Sequence, residues 1–274
     1  MRRFHLQHAV ACVLAAAVAA GSSTAYGHGG GGDIALFATD GQADLGFAIL
    51  DDDDDLQVVF DPDENVFLSV LLPQAPNPVV PWDFGSPEPG LDANEGSLPP
   101  SAEIVMNLIE LQYWNGAGPM SFSSLTGVSG GVAPQPLQSF PDGGFHSHPL
   151  FGVEGAGAAP PAGVYVGKLT VSVEGLSDSD PYYMVSLISD SVTAITDEDH
   201  RIEAAEAIGA LVRNYAADPL ASPTPVYEGV DFTYYAEAVM HVRGMASVPE
   251  PASGVLVALC LAFGAAARVQ RSSF

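Results

Sequence analysis

Cysteine is nearly absent from this chain of 274 residues. Its two cysteines, Cys12 and Cys260, both lie in the apolar segments near the two ends. The stretch from residue 28 to residue 247 therefore has no disulfide and no thiol chemistry, which excludes cysteine nucleophiles and thiolate metal sites. A segment of this length, enough for one or at most two domains, can be held by its core alone. Positive charge is almost as scarce. Residues 28–247 carry 32 acidic side chains against four basic ones, Lys168, Arg201, Arg213 and Arg243. Binding phosphate needs Lys and Arg to replace counterions, so nucleic acid and anionic lipid headgroups are excluded as partners. Such a surface stays soluble and attracts cations. It fits either a solvated shell suited to salty surroundings or a cation-binding protein.

What is there begins at the two ends. Arg2 and Arg3 precede a short apolar stretch from Ala9 to Ala20, and small residues follow. This is the pattern of a secretory signal peptide, with cleavage expected after Gly27 or after Ala25. Near the other end stands VPEP, Val248, Pro249, Glu250 and Pro251. Thirteen small or apolar residues, Val255 to Ala267, come next, and then Arg268 and Arg271. A spanning helix wants about 20 apolar residues, so Pro251 to Ala267 would just cross a bilayer with little tilt. The basic end favours a cytoplasmic tail. Motif, short helix and basic end together resemble the PEP-CTERM sorting signal. That resemblance implies export, a membrane contact through the C-terminal helix, and an exosortase-type sorting protease as partner. The expected organisation is 1–27 signal peptide, 28–247 exported domain and 248–274 sorting and anchor segment.

The exported part reads as β-structure. Short apolar stretches recur between Gly, Pro, Asp and Asn. Strands are expected at Ile34 to Ala38, Leu45 to Leu50, Leu56 to Phe60, Val66 to Leu72 and Ile104 to Trp114. Others are expected at Met120 to Leu125, Phe145 to Val153, Val164 to Val173, Tyr182 to Ile188 and, last, around Phe232 to Val242. Pro73 to Pro100 reads as a long Pro-rich loop. One amphipathic helix is expected, capped by Thr196 with Asp197, Glu198 and Asp199 in its first turn. Its apolar stripe is Ile202, Ala205, Ile208, Leu211, Val212 and Tyr215. The fold class is therefore mainly β, an antiparallel sandwich or jelly-roll-like domain with one helix.

GGFHSHP, residues 143–149, is the most informative internal stretch. Histidines at i and i+2 on a strand point to the same face, where two imidazoles can share one cation. Residues 28–247 have only five histidines, His28, His146, His148, His200 and His241, and no cysteine to compete. His28, as a first residue after cleavage, would offer both amine and imidazole. The segments GGFHSHPLFGV, PAGVYVGKLTVSVEGL and SDPYYMVSLI, with PEPGLDA at 87–93, Trp114-Asn115-Gly116 and the start HGGGGDI, are similar to a family of bacterial PEP-CTERM surface proteins. Some members of that family are repressed by a zinc-uptake regulator. The resemblance implies zinc handling at the cell surface and no particular enzymatic activity. The expected ligands are His146 and His148, with His28 third and Asp33 or His200 as a further one; the cofactor is zinc or another divalent cation. A structural role for the histidine pair is the competing reading, and His241 reads as a strand residue.

Other motifs carry less. Asp51 to Asp55 read as a solvated turn, because consecutive carboxylates cannot all converge on one ion. Residues 61–65, DPDEN, start like an EF-hand loop, but Val66 and Leu72 occupy its glycine and final glutamate positions. GVSGG around Ser129 matches a nucleophile elbow, yet VAPQPLQ after it cannot start the required helix. No phosphate loop or dinucleotide fingerprint appears. The chain reads as a non-enzymatic surface or matrix protein that binds a divalent cation. The alternatives are an adhesive matrix protein, an exopolysaccharide-binding module using Trp82, Trp114 or Tyr182, and a hydrolase at Ser129.

Overall fold

A computed structural model describes residues 33–50, 56–57, 65–75 and 80–246. The expected signal peptide, His28, the Asp51 to Asp55 run, residues 61–64 and the 248–274 sorting segment lie outside the described residues. No described helix is long and apolar enough to cross a membrane.

The described chain is mainly β. It begins with β1 (Asp33–Thr39), β2 (Gln42–Leu50), β3 (Leu56–Gln57), β4 (Val66–Val70), β5 (Leu72–Pro73), β6 (Phe84–Ser86), β7 (Leu91–Ala93) and β8 (Glu103–Trp114). Then come β9 (Val128–Ala133), β10 (Leu137–Gln138), β11 (Phe145–Ser147), β12 (Leu150–Gly155), β13 (Gly163–Val173) and β14 (Tyr182–Ile188). Three helices, α1 (Asp190–Thr193), α2 (Glu198–Ala217) and α3 (Thr233–Ala246), finish it, with the small hairpin β15 (Val226–Tyr227) and β16 (Val230–Asp231) between the last two. The strands form sheets ordered β11-β7-β1-β2-β3, β10-β8-β13-β14-β4 and β5-β6-β12-β9. Most pairs are antiparallel, but β1 with β7 and β14 with β4 run parallel, so the expectation of purely antiparallel sheets is corrected.

The β8–β13–β14–β4 sheet is the centre, because its sequence is apolar on both faces. In β13, Tyr165, Leu169, Val171 and Val173 join one core with Ile34 and Leu36 of β1 and with Phe151 and Val153 of β12. Val164 and Val166 of the same strand, with Val185 and Leu187 of β14, join a second core built with the helices. β8 keeps its pairing through a bulge: Lys168 faces Glu110 and Leu169 faces Leu108. Ile109 is the extra residue and is 56% exposed. The bulge lets Ile104, Met106 and Leu108, and then Leu111 and Tyr113, all reach the first core. The β1–β2 hairpin closes on Asp40-Gly41, both at positive φ (51° and 83°), the conformation a two-residue turn of this sequence favours.

Several sequence expectations change here. The strand expected over Phe232 to Val242 is α3, because Phe232, Tyr235, Ala236, Val239 and Val242 repeat at helical spacing and are all buried. His241 is thus a helical residue. The single expected helix becomes three. α2 is capped by Asp197 rather than Thr196: its carboxylate accepts from the His200 amide at 2.9 Å. Its buried stripe is Ala204, Ile208, Val212 and Ala216. Met120 to Leu125 contributes only a bridge between Ser123 and Tyr113. Phe145 to Val153 splits at His148-Pro149 into β11 and β12, which belong to different sheets; Pro149 has no amide to donate to a ladder. The expected loop from Pro73 to Pro100 holds β6 and β7.

Helix α3 is pinned to the central sheet by a polar contact. The fully buried Tyr235 hydroxyl lies 2.8 Å from the carbonyl oxygens of both Ser69 and Val185 and shares its proton between them. Tyr235→Phe keeps the ring and removes the donor. It should cost about 1–3 kcal/mol, read from denaturant unfolding midpoints; a cost near zero would show that the contact adds nothing to the packing.

Candidate metal centre

Three neighbouring strands carry the site. In the order β11-β7-β1, Leu91 pairs with Ile34, and Asp92 lies between Ala35 and His146. Ile34, Leu91, Ala93 and Phe145 point into the first core. Side chains alternate along a strand, so Asp33, Asp92 and His146 point to the opposite face. His148 follows where the chain leaves this sheet for β12, and its ring sits 5.0 Å from that of His146, edge to face. Asp33, His146 and His148 offer ligand atoms that all lie within 4.8 Å of one another.

Each of these side chains is held. Asp33 is buried, and its Oδ1 accepts from the Gly90 amide at 2.8 Å. Its Oδ2 is 3.9 Å from His148 Nε2. The other ring nitrogen of His148, Nδ1, is 3.3 Å from both the Pro87 carbonyl and Glu88 Oε1. His146, 49% exposed, places Nδ1 at 2.5 Å from Oδ1 of buried Asp92. Gly90 is required by this crowding, since a Cβ there would stand 2.7 Å from His148 Cε1 and 3.1 Å from Asp33 Cγ.

The residues fit a divalent metal. Two imidazoles and one carboxylate are donors that zinc accepts at about 2.0–2.2 Å, so the three groups need to close by about an ångström. Each histidine has a protein acceptor on its second nitrogen, the arrangement that orients metal-bound imidazoles. The site is rimmed by the half-exposed His146 and is closed on its inner side by Gly90.

Charge accumulates here. The Glu88 hydrogen bond raises His148 to about 9; burial opposes this, and the charges of Glu88 and Asp33 with the Pro87 carbonyl add to it. Burial, and then the neighbouring Asp33 carboxylate, which favours the protonated form, raise Asp92 to about 6 against the lowering pull of His146.

The expected ligands divide. Asp33, His146 and His148 converge. His200 does not: it stands on α2, with Nε2 at 3.5 Å from Glu228. His241 stacks on Phe122, ring centroids 6.0 Å apart. Ser129 lies inside β9, opposite Glu154 and donating to it at 3.1 Å, and not on a strand-to-helix turn. Trp114 and Tyr182 are buried core residues, so they form no exposed platform. Sequence reasoning left out Asp92, Glu88 and Gly90. The alternation Leu91-Asp92-Ala93, an acid between two core residues, was the signal for a short strand with an outward carboxylate.

No protein-family model matches the chain, and neither a curated protein nor a solved structure is similar to it.

Two outcomes follow from this geometry. Gly90→Ala should displace His148 and lower zinc affinity at least tenfold while the circular dichroism spectrum stays unchanged; unaltered affinity in a zinc competition titration would mean the crowding is irrelevant to binding. The second concerns pH. His148 is raised above its ordinary 6.5, so its contribution to stability is complete below about 6.5 and is lost as pH rises through about 9. In chelator, the melting temperature should fall across that window, and His148→Gln should flatten the fall. An equally steep profile in the variant would place its origin elsewhere.

Proposed function

We propose that this is an exported, PEP-CTERM-sorted surface or matrix protein, non-enzymatic, whose sandwich-like β domain binds zinc or a related divalent cation. The observation that carries the cation reading is the convergence of Asp33 from β1, His146 from β11 and His148 from the corner after it, each with a second protein contact that orients it. The donor set favours zinc and neighbouring transition metals over calcium or magnesium, which prefer all-oxygen sites. The sorting reading rests on Val248, Pro249, Glu250 and Pro251 with the apolar stretch and basic end beyond them. The acidic surface supports the cation reading by drawing cations toward the domain.

Elemental analysis of the purified mature protein tests the cation reading, after equilibration with trace zinc and dialysis. About one zinc per chain is expected. His146→Ala and His148→Ala should each lower affinity in calorimetry by a hundredfold or more. A wild-type protein that retains no metal ends the proposal.

A further inference from the structure

Asp92 belongs to none of the ligand positions, yet it touches one of them. Its carboxylate is buried and pairs with His146 Nδ1 at 2.5 Å. Strand register makes this contact. Asp92 and His146 are direct partners on adjacent antiparallel strands, where facing side chains on one face lie closest. The geometry points to Asp92 as the positioning residue of the metal centre: it fixes the proton of His146 on Nδ1, so that His146 ligates through Nε2. The inference rests on the cation reading proposed above.

An ionised carboxylate can only accept, so the partner nitrogen donates and the lone pair is on the other side of the ring. The Pro87 carbonyl does the same for His148, since a carbonyl is also only an acceptor. His148 Nε2 is already the nitrogen nearer Asp33 Oδ2, at 3.9 Å. Both imidazoles thus present the same nitrogen to one cation, with Asp33 as third ligand, and the two backing acceptors come from opposite ends of one segment, Pro87 to Asp92. That segment, 87–92, serves as a single cradle: it also supplies the Gly90 amide to Asp33.

The test uses the mature protein with zinc alone as probe. Long-range proton–nitrogen correlation at alkaline pH, in chelator, should show the His146 proton on Nδ1; after zinc is added, the Nε2 resonance should move. Asp92→Ala should give a mixed tautomer at His146 and a 10- to 100-fold loss of zinc affinity. Asp92→Asn, which keeps an acceptor oxygen, should restore most of it. A wild-type proton on Nε2 overturns the inference, as does an Asp92→Ala protein that binds zinc like wild type. If Asp92→Ala does not fold, the wild-type tautomer and the zinc-induced shift decide alone. Failure of the wild type to bind any zinc overturns both readings, and it is told apart from the other outcomes because no variant is needed to see it.

Discussion

A sheet that is apolar on both faces cannot be left with one side to water. β13 and β14 set that requirement, and it decides the architecture. One face is covered by strands from the two other large sheets and the other by α2 and α3. Buried polar side chains within this body are few, and while the Tyr182 hydroxyl has no partner, others are matched across elements. Ser69 and Ser186 share a hydrogen bond of 2.7 Å across β4 and β14 inside the core. Tyr235 adds a helix-to-sheet contact beside it, to the carbonyls of Ser69 and Val185. Unpartnered, such groups would cost more than they return.

The same alternation that builds the core delivers the site. Every strand that sends an apolar side chain inward must send its neighbour outward, and β1, β7 and β11 send Asp33, Asp92 and His146. The outward face is not bare, because the 87–90 turn and His148 lie over it. Two carboxylates are thereby withdrawn from water next to two imidazoles.

Most of the large strands were legible from alternation, and so were the histidine pair and Asp33. Boundaries and partners were less so. The residues of α3 suit a strand as well, since Tyr234, Tyr235 and Val242 are good strand residues, although Phe232, Tyr235, Val239 and Val242 also keep the helical period. Burial against β4 and β14 settled which period won. The Phe145 to Val153 stretch looked continuous; Pro149 broke it, and that break places His148. Asp92 was hidden because three-residue strands fall below any reliable periodicity, and its role depends on register with residues more than fifty positions away. His200 carried the right chemistry on the wrong element: a helix cap holds its backbone, and its ring meets Glu228.

Residues 28–247, without a cysteine, have no disulfide to tie distant parts of the chain together. The corner at His148-Pro149 belongs to the passage between two sheets, while Asp33 opens the first strand of the described chain. Any ion gripped by both would close a long loop of the unfolded chain and oppose its loss of order as a cross-link does. Unlike a disulfide, such a tie would be made and unmade by the cation content of the surroundings, so the rigidity of this corner would report how much metal the protein meets.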